Sequence, residues 1–288
     1  MRSNLSIKKF LNNIVFILII ISFTAIKHSF AEEKLVLEFN NIVIKLKGNF
    51  TQGGLVKGKI SSNRSIKFEN RNVLINSNGN FVIGFGRDFE GIASLEVKDN
   101  NKKWLKKAFN IKKRVYDTQR INGLEKKMVT PPESFYKRIR KENKSIKLVR
   151  NLNTEIDYVF QDFIIPLDGI VSGVFGSQRI LNGKPRRPHY GIDIAAPKGS
   201  SVKAPTDSIV RMVEKDLYYT GGTLMLDHGH GVTSVYSHLS IINVKVGDKV
   251  LKGQKVAEVG STGRSTGPHL DWRVNWFNQR LDPALLIN

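Results

Sequence analysis

From residue 34 onward the chain is written in short runs of β-branched and aromatic residues, cut repeatedly by asparagine and glycine, and that punctuation favours strands over long helices. Lys34 to Phe39 and Ile42 to Leu46 flank Asn40-Asn41, a hairpin signal. Val73-Leu74-Ile75 and Phe81-Val82-Ile83 flank a second turn, Ser77-Asn78-Gly79-Asn80, and Ile92 to Val97 alternates apolar with polar until Asp99-Asn100-Asn101. This spacing predicts a small β-sandwich over 32–113, without a catalytic cluster. From Phe163 the pattern is again β-rich, with Ser208 to Val213, Thr223 to Leu226, Val232 to Tyr236 and Leu270 to Trp276 as the clearest strands. No ten-residue amphipathic helix stands out there, and 161–288 reads as an antiparallel β domain. The expected fold class is therefore mostly β.

Between the two lies a basic connector, 114–160. Thr130-Pro131-Pro132-Glu133 has the form of a helix capping box with proline at the first helical position. Phe135, Ile139, Ile146 and Val149 follow at roughly helical spacing, among Lys137, Arg138, Arg140, Lys141, Lys144, Lys147 and Arg150. The net charge of +21 concentrates here: residues 102–150 hold 17 basic and four acidic groups, whereas 160–288 hold 15 and 11. A uniformly basic nucleic-acid-binding domain would not distribute charge this way, and no nucleic-acid recognition motif is present. The charge fits either a solvated helix with one docked stripe or attraction to an anionic wall or membrane surface through 102–150.

The first 31 residues read as a signal peptide. Arg2, Lys8 and Lys9 precede an apolar run from Ile14 to Ile21, too short to span a bilayer. Ser29 and Ala31 supply small residues at the −3 and −1 positions before Glu32. The expectation is a periplasmic or otherwise exported mature protein starting near Glu32, with an uncleaved anchor as the other reading.

The 288 residues contain no cysteine, which excludes a disulfide scaffold, a thiolate zinc site and a cysteine nucleophile. Any metal must be held by His, Asp or Glu. Of six histidines, His28 falls in the signal region, and His189, His228, His230, His238 and His269 gather in the C-terminal domain near Asp193 and Asp271. His189 and Asp193 form an HxxxD element. His269-Leu270-Asp271 is more informative, because residues i and i+2 of a strand face the same way and both side chains reach one centre. His228 and His230 flank Gly229 and read as a loop or rim, with substitute ligation or substrate contact as the other option. Arg187 and Arg264 are candidates for an anionic group, against the ordinary reading of solvated surface arginines.

At these residues the C-terminal domain resembles the lysostaphin/LytM-type zinc endopeptidases that cut peptidoglycan. HYGID (189–193), AP (204–205), HGHGVTSVYSHL (228–239), VKVGDKVLKGQ (244–254) and GSTGRSTGPHLDW (260–272) carry the resemblance, which covers roughly 163–288. It implies one zinc ion held by His189 and Asp193, a catalytic His238 in Tyr236-Ser237-His238-Leu239, and a catalytic His269. The sequence departs from the family at Asp271, where a histidine would supply the third ligand. A carboxylate also ligates zinc, but one His with two Asp makes the loaded site formally neutral rather than +1, and any bound water less acidic. The other assignment makes His269 the third ligand, with Asp271 orienting it or shaping the pocket.

The implied function is an exported zinc metalloendopeptidase acting on cross-links or stem peptides of peptidoglycan. The alternative is an inactive relative that binds the wall or activates another hydrolase. The glycine-rich run Gly260 to Gly267 lacks the Gly-Lys-Ser/Thr end of a phosphate loop. Val246 to Gly253 has carrier-like turns without the modified lysine motif, and no Gly-x-Ser-x-Gly elbow is present.

Overall fold

The computed structural model describes residues 32–61 and 63–287; the export signal read in 1–31 lies outside them. The N-terminal module is two four-stranded antiparallel sheets. One runs in the order Glu33–Phe39, Ile42–Gly48, Leu55–Lys59, Asn80–Gly84, and the other Arg71–Val73, Ile66–Phe68, Ile92–Lys98, Trp104–Asn110. Asn40, at φ 55°, closes the first hairpin, with Phe39 facing Ile42. In Ile42–Gly48 every second residue is buried, the pattern of a sheet with one face on a core. Edge-to-face rings of Phe50, Phe85 and Phe109 lie between the sheets. The turn at Ser77 to Asn80 does not join a hairpin. The strand before it pairs with Ile66–Phe68, the strand after it with Leu55–Lys59, so the turn passes the chain from one sheet to the other.

The C-terminal region is built on an eight-stranded antiparallel sheet. Its central path is Ile170–Gly173, Ile192–Ala195, His269–Trp276, Val232–Leu239, Gly221–Gly229, Ser208–Leu217, Lys249–Val250. Gly221–Gly229 and Val232–Leu239 are buried along their whole length, because both faces of the sheet are covered. On one face the helix Tyr136–Arg150 packs Ile146 and Val149 against Met212, Leu217, Met225 and Val235, with Ile139 buried on the same helix, while Phe135 meets Tyr218 at 5.0 Å. The predicted capping box does not form. The Thr130 hydroxyl accepts instead from Lys184 Nζ at 3.1 Å, and the chain enters the helix through a 3₁₀ turn, Glu133–Phe135. Arg138 pairs with Glu142 and Asp216, leaving Lys137, Arg140, Lys141, Lys144 and Lys147 exposed. Among the described residues no helix is long and apolar enough to cross a membrane.

The connector also supplies a strand. Thr118–Ile121 pairs in parallel with Gln178–Leu181, the one parallel pair among the described strands, beside two isolated parallel bridges, Thr51 with Lys112 and Phe163 with Ile287. The sandwich and the large sheet share one apolar core. Trp276 meets Phe68 edge-to-face at 5.7 Å, and Gly84 lies so close that a Cβ there would be 2.8 Å from Trp276 Cβ. Arg114 pairs with the buried Asp282 at 2.8 Å, and Asn49 Nδ2 donates to Leu285 O at 3.0 Å. Truncating an aromatic residue in such a seam removes its burial and leaves a cavity. Trp276→Ala is therefore expected to cost about 3–5 kcal/mol in chemical denaturation, with both modules unfolding in one transition. Two separate transitions would show that the seam does not couple them.

Candidate metal centre and active site

The centre is a row of residues laid across the sheet. Asp193 is the register partner of Asp271, Gly173 of Asp193, and Ser237 of Asp271. Partners in directly opposed positions share a face, so two carboxylates meet at the middle of the row. Gly173 leaves room for one of them, since a Cβ there would stand 2.5 Å from Asp193 Oδ2. His189 reaches the same point from the loop before Ile192–Ala195. Its Nε2 is 3.1 Å from Asp193 Oδ1 and 3.5 Å from Asp271 Oδ1. One donor atom from each of the three buried residues lies within 4.8 Å of the others.

Burial opposes the charge on His189, and the two carboxylates outweigh it, holding the imidazole above its ordinary value. Burial also opposes ionisation of Asp271, but the Arg273 guanidinium overrides it, with His189 assisting, and the carboxyl stays well below the usual range. At Asp193 burial is likewise outweighed, by His189 and then by Arg179. Two ionised carboxylates and an imidazole nitrogen converging in a dry site form a donor set suited to zinc. Asp193 Oδ1 fits this too: it is buried and faces His189 Nε2 at 3.1 Å without an aligned hydrogen bond. The residues present therefore fit the metal that the resemblance implies.

His238 and His269 stand beside the cluster, their rings 4.7 Å apart. Regular alternation would turn His238 to the face opposite Ser237 and Asp271. The pairing slips instead: Leu224 faces Tyr236 and Gly222 faces Leu239, so three steps on one strand oppose two on the other. This bulge, with His238 at φ 67°, re-aims the ring. His238 Nδ1 meets Thr262 O at 2.7 Å, and His269 Nδ1 meets Gly267 O at 2.9 Å and Ser265 Oγ at 3.2 Å. A carbonyl only accepts, so both Nδ1 atoms carry the proton, and in the neutral imidazole the lone pair then sits on Nε2. His269 Nε2 is 3.9 Å from Asp193 Oδ1. Burial pushes His238 down to about 4, which keeps it neutral.

The histidines line a cleft of about 270 Å³ with Arg179, Asp193 and Arg264. Its far wall comes from the connector, through Gln119, Ile121 and Leu124. Gln119 Oε1 accepts from Arg179 Nε at 3.2 Å, and its amide donates to Ser172 O at 3.3 Å.

Residues 187–283, which contain all five site residues, match the model of Peptidase family M23. The C-terminal region carries a peptidase M23 domain. The chain is 40% identical over 98 residues to the DD-carboxypeptidase/endopeptidase Mpg of Neisseria meningitidis, covering 34% of this chain and 22% of that protein. It is 36% identical over 116 residues to the peptidoglycan DD-endopeptidase ShyA of Vibrio cholerae, covering 40% of this chain and 27% of that one. The chain thus spans about a quarter of the length of these curated relatives. A peptidase M23 crystal structure from Pseudomonas aeruginosa superimposes with a TM-score of 0.64 at 27% identity, over 82% of this chain and 94% of that one.

The other two histidines of the M23 domain do not form a rim. His228 is fully buried, its Nε2 2.8 Å from Ser234 Oγ and its Nδ1 3.2 Å from Ser208 Oγ. His230, also buried, pairs with Asp157 at 2.9 Å and approaches Leu74 O at 3.4 Å, tying the M23 domain to the connector and the sandwich. Arg264 is in the cleft, stacked over Tyr219 at 4.6 Å, and burial pushes it down to about 10. Arg187 instead borders a second depression with Tyr190 and Arg280. Sequence reasoning missed Arg179, Arg273 and Gly173. The spacing of Asp271 and Arg273 on one strand was the available signal for the second of these.

Burial lowers His228 to about 4, against about 6.5 in an unfolded chain. Between those values the unfolded state takes up a proton that the folded state refuses, so stability falls as pH falls through that window. His228→Gln should flatten the acid-side loss by up to about 1.4 kcal/mol per pH unit, read from denaturation midpoints between pH 6.5 and 4.5. An unchanged slope would mean that His228 titrates normally in the fold.

Proposed function

We propose that the chain is an exported, zinc-dependent endopeptidase that hydrolyses peptide cross-links or stem peptides of peptidoglycan. The observation that carries this reading is the convergence of His189, Asp193 and Asp271 beside two histidines whose Nε2 lone pairs face the same cleft. The names of the relatives, both endopeptidases and one of them a peptidoglycan endopeptidase, supply the substrate class.

In this reading His189 Nε2 and the carboxylates of Asp193 and Asp271 hold one zinc ion. When bound, zinc polarises the scissile carbonyl and activates water. His238 and His269 act as general base and oxyanion stabiliser. An Nε2 lone pair accepts the proton of the attacking water, and the imidazolium so formed becomes an N–H donor aimed into the same space. Thr262 O and Gly267 O fix the two tautomers. Arg264 provides a cation for a stem-peptide carboxylate, and Gln119, Ile121 and Leu124 give the peptide a wall to lie against.

The domain plan is part of the proposal: a signal peptide over 1–31, a β module over 32–113, a connector over 114–160 and the peptidase over 161–288, working in the periplasm. The exposed lysines and arginine of the connector helix suit an anionic wall or membrane surface.

The test is zinc content of the purified protein together with release of muropeptides from sacculi. The expected result is one zinc per chain and turnover abolished by a chelator. His269→Ala should keep the metal and lose about 10²–10⁴-fold in turnover, the range of general acid–base groups. Loss of metal in His269→Ala with retention in Asp271→Ala would exchange their roles. No zinc uptake and no release, with wall binding intact, would put the non-hydrolytic regulator in place of the enzyme.

A further inference from the structure

The strand His269–Trp276 carries an ion pair that the catalytic reading does not require. Asp271 and Arg273 are two residues apart on it, so their side chains leave from the same face. Arg273 Nε is 2.9 Å from Asp271 Oδ1 and 3.1 Å from Oδ2, and Nη2 also closes on Oδ2. The Asp271 side chain is 1% exposed and that of Arg273 26%, so the pair runs from the buried centre toward the surface. A carboxylate offers about four lone-pair sites. The guanidinium spans both oxygens along one edge, and Oδ1, held by Nε at 2.9 Å, keeps a second lone pair that faces His189 Nε2 at 3.5 Å. Asp193 has a cation of its own, Arg179, on Oδ2. Arg273 therefore answers the one charge by which this site departs from a site with histidine at 271.

We propose that Asp271 and Arg273 act together as a single neutral ligand unit, electrostatically equivalent to an imidazole, and that the two can be exchanged only as a pair. The inference rests on the zinc reading above. Arg273 is a positioning residue in that it acts only through Asp271: it cancels the extra negative charge, so the loaded site keeps the formal charge of a two-histidine, one-aspartate set.

The single substitutions then have opposite signs. Arg273→Met leaves a bare carboxylate, so zinc is held more tightly by about tenfold or more once the nearby cation is gone. Turnover falls, because a less positive site polarises substrate and water less. Asp271→His leaves an unpaired guanidinium beside a neutral imidazole, so zinc is held less tightly by a similar factor. The double variant removes both unbalanced charges. A residue that merely supports the fold would shift both affinities the same way or neither.

The experiment is a double-mutant cycle on the purified protein. Zinc affinity is read by competition with a chromophoric chelator, turnover on muropeptides, and folding by circular dichroism. The expected result is tighter binding in Arg273→Met, weaker binding in Asp271→His, and a double variant within about threefold of the parent in affinity, with turnover recovered from both singles. If Arg273→Met does not fold, Arg273→Gln makes the same charge change while keeping a polar amide, and the cycle is read on it. An Arg273 variant that binds zinc with unchanged or reduced affinity overturns the proposal, as does a double variant no better than the worse single. Failure of the parent protein to take up zinc is a different result. It removes the zinc reading itself, whereas a zinc-loaded parent without coupling removes only the pairing of Asp271 with Arg273.

Discussion

Two aspartates face each other across neighbouring strands of a buried sheet, and much of the M23 domain is arranged around that arrangement. Like charges in directly opposed positions destabilise a sheet, and burial magnifies the cost. Asp193 and Asp271 persist because each is met by a guanidinium, Arg179 or Arg273, and because His189 lies between them. The same convergence of negative charge is what a divalent cation would seek.

The surrounding fold keeps this row in place. A bulge turns His238 toward the row, and Thr220 O anchors its backbone N–H at 2.7 Å. Thr262, which fixes the His238 tautomer, packs so tightly on Gly221 that a Cβ there would be 2.2 Å from its hydroxyl oxygen. Gly221, at φ 60°, tolerates both the left-handed backbone and the contact. Beside the row, on the same face of the sheet, the connector helix covers Met225 and Val235, the latter being the register partner of Arg273. The connector strand Thr118–Ile121 extends the small sheet at the cleft, so the wall of the cleft and the cover of the sheet come from one segment.

Much of this was legible in the sequence. His269-Leu270-Asp271 was readable because strand alternation is a local rule: Asp271 lies in the cluster with His189 and Asp193, and His269 stands beside it, 3.9 Å from Asp193 Oδ1. The stripe Phe135, Ile139, Ile146, Val149 was readable for the same reason, with the helical period in place of the strand period. Three features were not, because each depends on a long-range partner. The aim of His238 depends on a pairing slip with Gly221–Gly229. The burial of His228 and His230 depends on Ser208, Ser234, Asp157 and Leu74, while sequence clustering drew attention to their number alone. The capping box failed because Thr130 found a tertiary partner, Lys184, that competes with the helix terminus for its hydroxyl.

The most direct test of the account is a crystal structure of the zinc-soaked protein with diffraction collected on both sides of the zinc absorption edge. The account predicts one anomalous peak bonded to His189 Nε2, Asp193 and Asp271, with His238 and His269 unbonded beside it. A peak bonded to His269 in place of Asp271, or no peak at this row, would contradict it.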